Sequence, residues 1–140
     1  MSLLPRPIPA SLQFLVDYIA EHYRSAVEIG VGRYPDVAQA LDAQGLHIRA
    51  TDIRPWSEAN LDIIQDDVTC PVLSKYRGAD LLYSLRPPLE LVGFMQKLAC
   101  RLTTDLIVKP LASEIPPGRL VQRGNYFFYL WNRSQGGRIS

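Results

Sequence analysis

Cysteine and histidine are scarce in this 140-residue chain, which has only Cys70, Cys100, His22 and His47. Two cysteines thirty residues apart exclude a disulfide-rich secreted scaffold and a cysteine-based zinc site. Two scattered histidines do not make a histidine metal centre. No apolar run reaches the roughly 18 residues that span a bilayer. The opening Met1-Ser2-Leu3-Leu4-Pro5-Arg6-Pro7 lacks the charged and apolar blocks of a signal peptide. The expected setting is a reduced cytoplasm, with no membrane partner. An excess of charge is missing as well. Fifteen Lys and Arg oppose fourteen Asp and Glu, so the net charge of +1 offers no overall attraction to nucleic acid or acidic lipid. The charge is uneven, however: residues 1–100 carry nine basic and twelve acidic groups, and residues 101–140 six and two. No Walker motif, Ser-His-acid order or metal-ligand spacing occurs.

What the chain has is apolar content (47%) and eleven prolines that punctuate a run of short elements. Its length suits one domain over 1–140, with 1–9 and 132–140 frayed. Leu12, Leu15, Val16, Ile19 and Tyr23 share one face of a helix over 10–23, with Ser11 as its expected N-cap. Residues 26–31 read as a buried strand. Pro35 and Asp36 open a second helix, which Gly45 closes. Strands follow at 47–53, more weakly near 61–65, and at 79–85, with a turn or short helix after Pro71. After Pro87-Pro88 comes a helix whose apolar face is Leu91, Phe94, Met95, Leu98 and Leu102. A fifth strand spans 105–109, and 113–118 is a loop. The runs 119–123 and 126–131 form a hairpin around Gly124-Asn125, a dipeptide suited to positive φ. The alternation implies an α/β fold, a mostly parallel sheet covered by helices on both faces and closed by a C-terminal antiparallel hairpin. Ligands of such sheets bind where the ends of the first and fourth strands lie side by side.

The segment Glu28-Ile29-Gly30-Val31-Gly32-Arg33-Tyr34-Pro35 leaves a strand, turns on two glycines and enters a helix. Those glycines permit a tight turn and let a ligand approach the main chain. Twenty residues beyond Gly32 stands Asp52, placed to accept both hydrogen bonds of a ribose diol. This is the pattern of a nucleoside-binding Rossmann site. A dinucleotide turn, G-x-G-x-x-G, needs glycine at position 35. Pro35 instead removes an N–H from the helix start and brings a ring to where a pyrophosphate packs. A smaller group with one carboxylate, such as the methionine end of S-adenosylmethionine, fits better.

The Glu28-x-Gly30-x-Gly32 turn is similar to the first motif of class I S-adenosylmethionine-dependent methyltransferases. Asp52 resembles their ribose acid, and Asp66-Asp67-Val68 their third motif, whose acid and following residue meet adenine. Ala79-Asp80-Leu81-Leu82-Tyr83-Ser84 resembles the strand that borders their substrate. More narrowly, Asp66-Asp67-Val68-Thr69-x-Pro71 with Asp80 to Leu91 resembles a small archaeal group, uncharacterised protein family 0146. The resemblance covers residues 10 to 131 and implies a Rossmann-like methyltransferase fold. It implies cofactor contacts from Gly30, Gly32 and Arg33 to the methionine part, from Asp52 to the ribose, and from Asp67 and Val68 to the adenine. Glu28 is grouped with these cofactor-binding residues, as an acid that pairs with Arg33 or orders the turn. Tyr83, Ser84 and Arg86 are the candidates for the acceptor pocket, and no convincing base stands out. Two departures matter. Leu111–Gly118 stands where a typical domain has a helix. Arg86 and Leu89 flank Pro87-Pro88 where amino-group methyltransferases carry an acceptor residue before the prolines and an aromatic after them. Arginine only donates hydrogen bonds, and so suits a carboxylate or phosphate rather than an exocyclic amine.

Three readings follow: a methyltransferase of unknown acceptor, a non-catalytic S-adenosylmethionine- or nucleotide-binding module, and an NAD-binding oxidoreductase, which Pro35 disfavours. Tyr126-Phe127-Phe128-Tyr129-x-Trp131, with arginines nearby, also invites base stacking. Alternate aromatics in an edge hairpin more often pack on the core, so nucleic acid is the weaker expectation.

Overall fold

The computed structural model describes residues 7–32, 34–54, 61, 63–110 and 118–133. Over these residues the chain runs α1 (Ala10–His22), β1 (Ser25–Ile29), α2 (Asp36–Ala43), β2 (His47–Asp52), β3 (Ile63–Gln65), β4 (Leu81–Leu85), α3 (Leu89–Leu102), β5 (Asp105–Lys109), β6 (Arg119–Arg123) and β7 (Tyr126–Trp131), with a 3-10 turn at Leu73–Lys75. The seven strands form one sheet in the order β3-β2-β1-β4-β5-β7-β6. The first five are parallel, while β7 pairs antiparallel with both β5 and β6. This is the expected α/β class.

Alternate residues along each strand face opposite sides, as the pleat demands. On one face Ala26, Ile48, Leu81, Tyr83, Ile107, Phe128 and Leu130 pack against Leu15, Val16 and Ile19 of α1 and Val37, Ala38 and Leu41 of α2. On the other, Val27, Ile29, Leu82, Leu106, Val108, Tyr129 and Trp131 meet Val92, Met95, Leu98 and Ala99 of α3. The central strands β1, β4 and β5 are buried along nearly their whole length, on both faces, and therefore read as mostly apolar runs.

Several local expectations need correction. Ser11 lies inside α1; the N-cap is Pro9, and no side chain caps the helix. The strand expected over 26–31 stops at Ile29, because Gly30 takes a left-handed φ of 74°. The buried face of α3 is Val92, Met95, Leu98 and Ala99, while Leu91 and Leu102 are half-buried and Phe94 is 38% exposed. The small Ala99 and branched Val92 allow close approach to the sheet. Phe94 lies on the helix flank with the Lys97 ammonium 5.7 Å from its ring. Gly45 ends α2 as expected, with φ 93°. Most of the segment 111–118 lies outside the described residues. No helix among the described residues is long and apolar enough to cross a membrane.

Candidate functional site

The order β2-β1-β4 puts the carboxyl ends of β1 and β4 side by side, with the chain leaving to β2 on one side and β5 on the other. Loops after parallel strands diverge at such a point and leave a crevice. A cavity of about 370 Å³ opens there. It is lined by Ile29 and Gly30 after β1, Thr51, Asp52 and Ile53 at the end of β2, Asp66 to Thr69 after β3, Ser84 to Pro88 after β4, and Leu91 and Met95 of α3.

The turn after β1 is held from below by β2: the Gly30 and Val31 N–H groups both donate to the Thr51 carbonyl, at 2.9 and 3.1 Å. Gly30 and Gly32 have φ of 74° and 58°, left-handed values that favour glycine. A Cβ on either would meet nothing within 4 Å, so the turn leaves open space beside its backbone. Gly32 does not line the cavity, and its N–H donates to Asp52 Oδ2 at 2.6 Å. Arg33 lies outside the described residues. Pro35 is buried at the start of α2, where it offers no N–H to an anion.

Asp52 lines the cavity and ties two turns together. Its Oδ1 accepts the Arg54 N–H at 3.0 Å, while Oδ2 holds Gly32. Each oxygen keeps a second lone pair. Asp66 and Asp67, adjacent in sequence, have different jobs. Asp66 accepts the Tyr76 hydroxyl at 2.5 Å and the Val72 N–H at 3.3 Å, and pairs with Lys75 at 3.6 Å, so it braces the loop. Asp67 is exposed, and the Thr69 hydroxyl and N–H donate to its Oδ1 at 2.7 and 2.9 Å. Those two bonds hold its carboxyl below the usual range. Val68 beside it is buried.

β4 divides its polar residues between the two faces. The Ser84 hydroxyl donates to the Ile29 carbonyl at 2.7 Å and pins β4 to β1 at the cavity wall. Tyr83 points the other way, fully buried under α1 and α2 in register with Glu28. Glu28 is itself 1% exposed, and neither its Oε1 nor the Tyr83 hydroxyl has a hydrogen-bond partner among the described residues. Burial pushes the Glu28 carboxyl up to about 8, against the opposing influence of the Tyr83 hydroxyl. The Asp36 and Asp52 carboxylates push it the same way as burial. Arg86 follows β4 in a left-handed conformation, φ 53°, and its N–H donates to the Lys109 carbonyl at 2.6 Å.

The cavity therefore gathers Gly30, Asp52, Asp67, Val68, Ser84 and Arg86 from the residues that sequence reasoning singled out. Glu28, Gly32 and Tyr83 do not line it; of Tyr83 and Ser84, which alternate along β4, Ser84 is the one at the cavity. Sequence reasoning missed the apolar wall of Leu91 and Met95, and missed Lys109 behind Arg86. A helix face and a strand register reveal these residues; a motif does not. The aromatic hairpin offers no stacking platform at Phe128, which is buried against Phe14 and Tyr18 at centroid distances of 5.4 and 5.0 Å.

Residues 12–133 match the uncharacterised protein family UPF0146. The chain belongs to that family. A UPF0146 protein of Archaeoglobus fulgidus is 39% identical over 121 residues, covering 85% of this chain and 93% of that one. Among solved structures, the sugar N-methyltransferase KedS8 from Streptoalloteichus is similar, with TM-score 0.57 and 12% identity over 83% of this chain and 54% of that one. So is the S-adenosylmethionine-bound amino pentose methyltransferase CalS10 from Micromonospora echinaspora, with TM-score 0.55 and 13% identity over 81% and 57%. The UPF0146 chain thus has the Rossmann-like fold of these methyltransferases and spans little more than half their length.

Proposed function

We propose that this UPF0146 chain binds S-adenosylmethionine in the cavity at the carboxyl ends of β1, β2 and β4 and transfers its methyl group to a small acceptor. The observation that carries this reading is the convergence of Gly30, Asp52, Val68 and Arg86, from four separate segments, on one cavity at the switch point. The group fits what is there. Open space beside Gly30 admits the methionine part next to the backbone. The spare lone pairs of Asp52 would accept from a ribose diol, and Val68 and Asp67, which line the same cavity, would hold the adenine. Gly32 shapes the turn from behind, and Glu28 supports it from within the sheet.

Bound S-adenosylmethionine supplies an activated methyl carbon, to which an acceptor lone pair bonds as the carbon–sulfur pair leaves with the sulfur. The protein's own part is positioning. Leu91 and Met95 keep water off one wall. Ser84 keeps β1 and β4 in register, but its proton is already committed to Ile29. With Tyr83 buried on the far face, neither hydroxyl of β4 serves as a base. The acceptor is therefore a nucleophile that needs no base from β4, its proton passing to solvent.

The commitment of Ser84 and Tyr83 also favours a second reading, a module that binds the cofactor without transferring from it. Calorimetric titration with S-adenosylmethionine, S-adenosylhomocysteine, NAD and ATP, followed by methyl-label transfer into a cell extract, separates the readings. Binding of the first two with transfer supports the methyltransferase. Binding without transfer leaves the module. No S-adenosylmethionine binding at millimolar ligand, or tighter binding of NAD, overturns both. Asp52→Ala should weaken the cofactor about tenfold or more, the loss of two hydrogen bonds to one carboxylate.

A further inference from the structure

We propose that Arg86 and Lys109 form an anion subsite at the edge of the cofactor cavity, which selects acceptors bearing a carboxylate or phosphate. The assignment of an acceptor rests on the methyltransferase reading; the subsite itself rests on the following geometry.

β4 and β5 run parallel with Leu85 opposite Lys109, so both strands end at the same level. The Arg86 N–H reaches across to the Lys109 carbonyl and holds the two residues together at that edge. Two long cations thus start from neighbouring points, one of them lining the cavity and the other one strand further out. Neither has a salt bridge or a side-chain hydrogen bond to an acid among the described residues. The Lys109 ammonium rests 4.0 Å from the Phe127 ring centroid, a contact that steadies it without cancelling its charge. Partial burial and then the charge of Arg86 push the Lys109 pKa down, as expected of two cations that repel. Such a pair is stabilised by whatever anion lies between its members.

The backbone supports the same conclusion. Arg86 occupies a left-handed conformation that glycine adopts without strain. It is followed by Pro87 and Pro88, which restrict the main chain around it. A residue that only turned the chain needs no guanidinium. The fork of donors that arginine presents matches carboxylate and phosphate oxygens. Beyond the prolines, the first turn of α3 has no side-chain cap, so its N–H groups add to the positive field that Glu90 in that turn partly offsets. A single cation pair in a chain of net charge +1 suits one small anion rather than a polynucleotide.

The test is an amide NMR titration of the full chain with inorganic phosphate and, separately, acetate, each with and without S-adenosylhomocysteine. Saturable shifts at Arg86 and Lys109 with at least one anion are expected, and the two titrations distinguish phosphate from carboxylate. Arg86→Gln and Lys109→Gln should each weaken that anion about tenfold or more, and Lys109→Arg should restore it. Wild-type circular dichroism in each variant checks the fold. Absence of saturable shifts, insensitivity to both glutamine variants, or preferential binding of a short RNA overturns the subsite. Anion binding without any S-adenosylmethionine binding leaves the subsite standing and sinks the methyltransferase reading. The converse sinks the subsite alone.

Discussion

The two edges of the parallel sheet use their polar residues differently. At the amino edge they are spent on one another across long stretches of sequence. The Tyr23 hydroxyl donates to Asp105 at 2.6 Å, the Arg24 N–H to Asp80 at 3.0 Å, the Ser25 hydroxyl to the Gly78 carbonyl at 3.0 Å and the Thr104 hydroxyl to the Ala79 carbonyl at 3.2 Å. Asp105 also accepts the Arg133 N–H at 2.7 Å and so fastens the end of the hairpin. At the carboxyl edge, Asp52, Asp66 and Ser84 likewise hold loops together. Yet the same edge carries the Arg86 and Lys109 cations with no acid paired to either among the described residues. One edge closes the fold; the other is built with binding capacity left over.

If that contrast is right, damage at the amino edge falls on stability. Asp105→Ala should have the largest effect. It strands the part-buried Tyr23 hydroxyl and the Arg133 N–H, and should lower unfolding free energy by about 3 kcal/mol in urea titrations. S-adenosylmethionine affinity of the folded fraction should stay at the wild-type value. A loss of affinity comparable with that of Asp52→Ala would break the contrast.

Glu28 sharpens it from the middle of the sheet. Its carboxyl, raised by burial to about 8, is neutral in the folded chain at neutral pH and charged in the unfolded one. The folded state therefore binds the extra proton. The stability this gives is complete below the ordinary carboxyl range, and is lost as pH rises toward 8. Glu28→Gln removes the dependence. Relative to wild type it should gain about 2 kcal/mol between pH 6 and pH 8, read as diverging melting temperatures. Parallel melting curves across that range would mean that the buried acid has a partner.

Much of this arrangement was legible in the sequence, and the boundary between what was and was not is physical. β5 and the hairpin strands β6 and β7 fall on the expected residues, because an apolar run and a Gly-Asn turn are local signals. Asp52 reaches the site because the offset from the glycine turn to the end of the next strand is a property of one crossover. What failed depends on partners distant in the chain. The face of α3 that is buried is set by how the helix sits on the sheet. That Tyr83 and Ser84 face opposite sides follows from the pleat, but which of them meets the cavity depends on how β4 sits beside β1, and Lys109 meets Arg86 because β5 registers with β4. Neither register is written in a motif.

The smallest expected effects compare the two non-glycine residues at positive φ among the described residues, one at each edge. Thr103, φ 55° and ψ 51°, is the C-cap of α3 at the amino edge, and its N–H bonds back into the helix. A left-handed residue there is what a helix end calls for, and threonine, being branched, bears the strain badly. Thr103→Gly should raise stability by about 1 kcal/mol without touching ligand binding. Arg86, φ 53°, ends no helix. Arg86→Gly should gain less, about 0.5 kcal/mol, because relief of strain and of repulsion with Lys109 is set against added freedom in the unfolded chain. The same variant should lose saturable phosphate or acetate binding. A strained side chain whose removal stabilises the protein while abolishing a ligand is kept for the ligand. If Arg86→Gly is destabilising instead, the guanidinium is a structural brace, and the carboxyl edge is closed on itself as the amino edge is.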